Sequence, residues 1–296
     1  MAFGRRNLKP ASRSIKWSCP AKVNLHLRIL HRRQDGYHEL VSLMQCVGPF
    51  DELELELGGS NIELSCSQPG VPLGEENLAY RAAKLFRERT GMTGGVRIRL
   101  QKRIPMGAGL GGGSSDAAGV LRAMNKILGN PLKHELLLEL AARLGADVPF
   151  FLLGGTALAK GIGERLEPMC LSVPLYYLVW FPGWPVSTKW VYENLDLGLT
   201  SGSKEFTIPQ LIDRFEDAIA ILHNDLETVT ARHYPWVEQA KARLRDEGAE
   251  GVLMSGSGPT VFGLFRQERD AKRALERISP GKEELLWFTR GLASSQ

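Results

Sequence analysis

The chain has 296 residues, 43% hydrophobic and 24% charged, a balance that fits one large or two medium soluble globular domains. Its net charge of +4 is gathered in the first sixteen residues, where Arg5, Arg6, Lys9, Arg13 and Lys16 meet no acid, and no basic stripe with interleaved aromatics follows to mark a nucleic-acid surface. Cys19, Cys46, Cys66 and Cys170 are too widely spaced for a zinc knuckle or a redox CxxC pair, and the longest apolar runs are too short and too proline-broken for a membrane span, so a cytoplasmic protein with reduced thiols is expected.

Residues 1–16 read as a solvated basic extension. From Lys22 the chain alternates, with Val23, Leu25, Leu27 and Ile29 on one face and Lys22, Asn24, His26 and Arg28 on the other, the pattern of a half-buried strand. Asp35-Gly36 supplies a hairpin turn, after which Tyr37 and His38 emerge beside the polar face. Strands are expected over 40–47 and 52–57, the second with Glu52, Glu54 and Glu56 on a wet face. A helix follows from Asn77 to Phe86, with Glu75, Glu76 and Asn77 as starters, and then a strand over 96–100. Helices are predicted over 116–128 and 133–144. Asp147 sits in the turn enforced by Pro149, and strand-like residues continue over 150–159. Residues 160–165 form a turn into another strand, and 173–181 read as a buried strand. A helix is expected around 188–192, capped by Ser187 or Thr188. The 201–203 segment reads as a loop, 223–226 as lying in helical surroundings, and 236–247 as an amphipathic helix. Residues 251–265 place a second glycine-rich turn between apolar strands, ahead of a helix over 270–278 and an edge strand over 285–289. The composition divides near residues 155–175 into two sheet-and-helix units.

The stretch that stands out is 105–118, with five glycines in the seven positions from Gly107 to Gly113, where the overall content of 32 in 296 predicts about one. Glycine admits positive φ and close approach to a ligand, and the first N–H groups of the following helix lack intrahelical partners at the positive end of its dipole. A phosphate satisfies all of these together. A flexible linker is disfavoured because a helical pattern follows at once. Gly107-x-Gly109-x-x-Gly112 matches a dinucleotide fingerprint in form only, since it follows about 100 residues of mostly antiparallel strands and is not the first turn of a βαβ unit. No Gly-Lys-Ser/Thr follows, which excludes a Walker A loop. Lys102 and Arg103 are apt cations beside such a cradle. Asp147, flanked by apolar residues, suits either a turn cap or a proton acceptor.

Pro20-Ala-Lys-Val-Asn24, the stretch Pro105–Ser115 and Met254-Ser-Gly-Ser-Gly-Pro259 resemble the three motifs of the GHMP kinase superfamily, which includes galactokinase, homoserine kinase and mevalonate kinase. Asp35-Gly-Tyr-His38 and Gly145-Ala-Asp-Val-Pro149 are similar to the branch that acts on a cytidine-diphosphate-bearing substrate. The resemblance runs in register from about residue 17 to residue 265. It implies an α+β, two-domain fold: a 17–165 domain like ribosomal protein S5 domain 2 that binds ATP and carries catalysis, and a ferredoxin-like 166–296 domain. It implies transfer of a phosphoryl group from ATP to the 2-hydroxyl of 4-diphosphocytidyl-2-C-methyl-D-erythritol, in the methylerythritol phosphate pathway. By position, Asp147 is the implied base and Lys22 its cationic neighbour. The implied ATP site is Pro105, Met106, Gly107, Ala108, Gly109, Leu110, Gly111, Gly112, Gly113, Ser114 and Ser115, with Asn77 and Lys102 near the nucleotide. Substrate contacts fall on Asn24, Tyr37, His38, Thr188, Tyr192, Gly256, Ser257 and Gly258, with Tyr37 stacking on the cytosine and His38 hydrogen-bonding it. Ala108 and Asp116 stand where many relatives have glycine and asparagine. No residue resembles the magnesium-binding glutamate of mevalonate kinase, so Mg²⁺ is expected to be held mainly by phosphates and water. A monomer or weak homodimer acting on a small molecule is expected, with neither membrane nor nucleic acid as partner. The rival readings are another kinase of the superfamily, of homoserine or phosphomevalonate type, and a noncatalytic nucleic-acid-binding protein.

Overall fold

A computed structural model describes residues 14–196 and 211–293. In chain order its elements are β1 (Ser14–Arg32), β2 (His38–Leu57), β3 (Ile62–Cys66), α1 (Leu78–Thr90), β4 (Val96–Gln101), α2 (Gly112–Ile127), α3 (His134–Leu144), α4 (Val148–Leu153), β5 (Thr156–Gly161), β6 (Arg165–Pro168), β7 (Cys170–Leu171), β8 (Tyr176–Phe181) and α5 (Thr188–Glu193). Then follow β9 (Leu211–Ile212), α6 (Phe215–Ala220), β10 (His223–Asn224), α7 (Glu227–His233), α8 (Trp236–Asp246), β11 (Gly251–Met254), β12 (Val261–Phe265), α9 (Glu268–Arg277) and β13 (Leu285–Arg290). The chain falls into two compact units that interleave along the sequence. One gathers Met1–Ala21, Phe50–Ile104 and Gly111–Leu152, and the other gathers Lys22–Pro49, Pro105–Leu110 and Leu153–Gln296.

In the first unit, β4 pairs antiparallel with residues 52–57 of β2 and parallel with β3. Period-two alternation buries Leu53, Leu55, Ile98 and Leu100 on one face. On the other face Arg99 reaches Glu54 at 3.3 Å and Arg97 reaches Glu56 at 3.5 Å, so the acidic row expected to face water does so with cross-strand partners. Helix α1 starts at Asn77, whose side chain accepts from the Ala79 N–H at 2.9 Å and donates to the Pro72 carbonyl at 2.8 Å. Helix α2 is buried along most of its length. Gly119 lets it approach β1, because a Cβ there would lie 2.4 Å from Cys19 Sγ.

In the second unit, residues 40–45 of β2 pair antiparallel with β5, which also carries β6, while β10 lies parallel to β1 through His26–His223 and Leu27–Asn224. Strands β11, β12, β8 and β13 form an antiparallel sheet in that order, with β13 at its edge. Helices α8 and α9 bury Val237, Ala240, Leu244, Ala271 and Ala274 with Leu178, Val261 and Phe265 of this sheet. The short strands β7 and β9 pair in parallel.

Several boundaries differ from the sequence reading. Strand β1 begins at Ser14, so three residues of the basic extension belong to it. Helix α2 begins at Gly112, four residues before the expected start, with Gly111 in the left-handed region at φ 71 closing the turn; glycine's low helix propensity hides the start. Residues 148–153 are helical, whereas strand was expected over 150–159, because a short buried apolar run has no distinguishing period. The strand expected over 173–181 starts at Tyr176. His223 and Asn224 form a strand, where helical surroundings were expected. The 201–203 loop lies outside the described residues. Among the described residues no helix is long and apolar enough to cross a membrane.

Candidate active site

In the second unit residues 22–24 of β1, residues 105–110 and the 255–259 turn interlock. The Lys22 N–H donates to the Leu110 carbonyl at 3.0 Å and the Asn24 N–H to Ser255 Oγ at 3.4 Å. Ser255 Oγ donates to the Gly109 carbonyl at 3.1 Å. Gly109 has φ 76, and a Cβ there would stand 2.2 Å from the Ser255 carbonyl oxygen. Gly107 has φ 62, and its Cβ would lie 2.6 Å from Pro185 Cβ; its carbonyl accepts the Val186 N–H at 3.0 Å. Glycine is therefore required twice for each position, by backbone conformation and by space. Pro105 is half-buried, Met106 is exposed, and Ala108 and Leu110 are buried.

Lys22 is 5% exposed, and its Nζ donates to Asn24 Oδ1 at 2.5 Å. A Cβ on Gly256, itself at φ 57, would come within 3.2 Å of both Lys22 Nζ and Asn24 Oδ1. The turn that presents Gly256 is held from outside. Asn224 Nδ2 donates to the Met254 and Gly256 carbonyls, each at 2.8 Å, and Thr230 Oγ1 donates to the Ser257 carbonyl at 3.1 Å. The hydroxyls of Thr188 and Ser257 meet at 2.8 Å, and Gly258 packs against Met254 with no room for a Cβ. Helix α5 is capped by Ser187, whose side chain accepts from the Trp190 N–H. Thus Lys22, Asn24, Gly107, Gly109, Thr188, Gly256, Ser257 and Gly258, singled out in four separate stretches, meet within one unit.

Tyr37 leaves the Asp35-Gly36 turn 60% exposed, the Arg33 N–H donating to its carbonyl at 2.8 Å. The His38 ring packs on Tyr192 at 5.1 Å between centroids. Burial and then the nearby Arg32 lower the His38 pKa below the ordinary histidine value, so the ring is predominantly neutral at pH 7 and offers one donor and one acceptor nitrogen.

In the first unit the N-terminus of α2 has Gly111 and Gly112 at its entry. Gly113 has open space where a Cβ would be, and Ser115 Oγ is buried with no hydrogen-bond partner among the described residues. Ser114, one residue before it, is half-buried. Orphaned donors at a helix N-terminus suit an anion or a hydroxyl-ligated cation. Beneath them lies a buried charge cluster. Lys102 Nζ pairs with Asp51 Oδ2 and, at 2.6 Å, with Asp116 Oδ2, while Asp51 Oδ1 accepts the Arg103 and Ile104 N–H groups at 2.5 and 2.8 Å. The Lys102 side chain is only 4% exposed. Burial pushes the Asp116 carboxyl up to about 7, with Lys102 opposing and Asp51 adding to the rise. Burial disfavours the Lys102 charge, but Asp116 and Asp51 outweigh it and leave its pKa raised. Asp147 is half-buried in the turn between α3 and α4, and Asn77 caps α1.

Sequence reasoning missed Asp51, Ser42, Ser255 and Asn224 as partners of these residues. Their contacts join positions 18 to 231 residues apart, and spacing along the chain gives no signal for such pairings.

The chain matches the GHMP kinases N terminal domain over residues 77–155 and the GHMP kinases C terminal model over residues 207–281. It is 46% identical over 278 residues to 4-diphosphocytidyl-2-C-methyl-D-erythritol kinase of Geobacter metallireducens, covering 93% of this chain and 97% of that protein. Its structure is similar to a crystal structure of 4-(cytidine 5'-diphospho)-2C-methyl-D-erythritol kinase, with TM-score 0.77, 41% identity, and coverage of 94% and 100% of the two chains. A homoserine kinase from Cytophaga hutchinsonii superposes with TM-score 0.74 at 22% identity over 99% of this chain and 98% of that one, a likeness of fold alone.

Proposed function

The chain belongs to the GHMP kinases, and within them to the 4-diphosphocytidyl-2-C-methyl-D-erythritol kinases, and from that premise we propose how its residues divide the work. The reaction is the ATP-dependent phosphorylation of 4-diphosphocytidyl-2-C-methyl-D-erythritol in the methylerythritol phosphate route to isoprenoid precursors. The acceptor is the 2-hydroxyl, and transfer is in-line without a covalent enzyme intermediate. Asp147 takes the hydroxyl proton as attack proceeds. Lys22 supplies positive charge to the transferring phosphoryl group. Residues 105–115 bind the ATP phosphates, with Ser114 or Ser115 nearest the metal; the orphaned Ser115 hydroxyl supports this reading. Mg²⁺, held mainly by phosphate oxygens and water, would neutralise charge between the phosphates.

Asn77 lies near the nucleotide. Lys102 does too, but with its ammonium committed to two carboxylates it acts by holding the loop entry. Tyr37 stacks on the cytosine and His38 hydrogen-bonds its edge; the exposed Tyr37 ring and the packing of His38 on Tyr192 support this. Thr188, Tyr192 and the 256–258 turn line the remainder of the substrate side, together with Asn24. The division into 17–165 and 166–296 domains follows the order of the matched segments 77–155 and 207–281 and differs from the interleaved compact units, which assign residues 22–49 and 105–110 together with the C-terminal half. We place the enzyme in the cytoplasm as a monomer or weak homodimer.

The observation that carries this reading is the convergence of Lys22, the 105–110 loop and the 255–259 turn in one hydrogen-bonded assembly. ADP release measured in parallel with the cytidyl substrate, homoserine and mevalonate derivatives tests it. Turnover is expected with the cytidyl substrate alone; turnover only with another alcohol would overturn the substrate assignment.

A further inference from the structure

We infer that Ser42 is a positioning residue for phosphoryl transfer, acting through Asn24 to fix the ammonium of Lys22. The inference rests on the role proposed for Lys22. Ser42 is 2% exposed on β2, where its residue pairs with Ala159 of β5, so it is anchored in a paired strand with no access to solvent. Its single hydroxyl proton goes to the His26 carbonyl at 2.7 Å. With that proton spent, Ser42 Oγ meets Asn24 only as an acceptor, and Asn24 Nδ2 donates to it at 2.8 Å. The amide is thereby oriented: its NH₂ faces Ser42 and its oxygen faces Lys22 Nζ at 2.5 Å. The reverse orientation would set two donors, NH₂ and ammonium, against each other and would force Ser42 to abandon the His26 carbonyl.

The alignment has a further consequence at the other end. Lys22 Nζ lies 3.2 Å from where a Gly256 Cβ would be, so a displaced ammonium has little room on that side before it meets the 255–259 turn. One hydroxyl proton on β2 therefore selects the orientation of an amide on β1, and that amide presents an acceptor that helps to hold a buried positive charge in place. Misplacement of a group that stabilises transition-state charge lowers kcat more than it weakens ground-state binding.

Steady-state kinetics on the full chain with ATP and the cytidyl substrate test this, using Ser42→Ala, Ser42→Thr, Lys22→Met and the Ser42→Ala/Lys22→Met double variant. Ser42→Ala is expected to lower kcat about tenfold with both KM values nearly unchanged. Ser42→Thr, which keeps the hydroxyl, should restore it. In the Lys22→Met background Ser42→Ala should cost nothing more, the non-additivity of residues acting as one unit. A Ser42→Ala enzyme with wild-type kcat, or one whose loss persists in full beside Lys22→Met, overturns the inference. Near-normal kcat in Lys22→Met alone sinks the role of Lys22 itself, a separate and distinguishable failure. If Ser42→Ala does not fold, Ser42→Cys, similar in volume but a poor acceptor, is measured against the same outcomes.

Discussion

A lysine ammonium is strongly hydrated in water, yet Lys22 keeps only 5% of its surface exposed and meets the Asn24 amide oxygen. A buried ammonium held at a fixed place beside the 255–259 turn suits the proposed role of stabilising charge on the phosphoryl group. Asp147 poses the opposite case, a half-buried carboxylate in a turn, assigned as base from its sequence surroundings. Asp147→Asn keeps the size of the side chain and removes its basicity. Turnover is expected to fall by about 10²–10⁴-fold while ATP affinity stays nearly intact, as read by single-turnover ADP formation and nucleotide titration. Near-normal turnover would remove Asp147 as base. Both proposed roles come from the sequence, where Lys22 and Asp147 lie in short runs that resemble whole motifs. Ser42 and Asp51 drew no such assignment, because Ser42 is a polar residue in a largely apolar run, Asp51 reads as the start of an acidic row, and the partners of both lie far along the chain.

At the level of elements, the glycine stretch serves two purposes: its first part packs against the 255–259 turn, and its second opens α2. Gly109→Ala would place a methyl 2.2 Å from the Ser255 carbonyl at φ 76, so both the strained backbone and the clash act against it. A loss of at least about 2 kcal/mol in stability is expected, with a lower Tm and impaired ADP release. A variant with wild-type Tm and turnover would show that this packing is dispensable.

The start of α2 also carries a pH dependence. Burial, opposed by Lys102, raises the folded-state pKa of Asp116 to about 7, above the ordinary value of about 3.9 for an unfolded aspartate. A raised carboxyl binds its proton more tightly in the folded state. Its contribution to stability is therefore full below the unfolded pKa and is lost as pH rises through the folded one, between about 4 and 7. Asp116→Asn removes that titration and still offers Lys102 an oxygen. Its Tm relative to the parent chain should rise between pH 5 and pH 8, measured by thermal melts across that range; an unchanged difference would place the titration elsewhere.

For the whole molecule, two units assembled from interleaved segments share their fold with kinases of other substrates, so architecture alone does not select the acceptor. On the proposed reading, selection falls to a few side chains carried on that architecture. Tyr37 and His38 offer an aromatic face and a neutral imidazole, groups suited to a nucleobase and of no evident use to homoserine or a mevalonate derivative. The parallel substrate assay is therefore a test of these two residues more than of the fold.

By itself the sequence determined the family, the strands with clean alternation such as residues 22–29 and 52–57, the amphipathic helices, and the residue types at each motif. These are local properties, set by period-two and period-3.6 patterning and by runs of chemically unusual residues. Only the tertiary structure decided that α2 begins inside the glycine run, that residues 148–153 coil into a helix, and that Lys102 is held between Asp51 and Asp116. The same holds for the orientation of Asn24 by Ser42. Each of these depends on which distant groups share a buried space, where every donor, acceptor and charge must find a partner, and one-dimensional spacing does not encode that pairing.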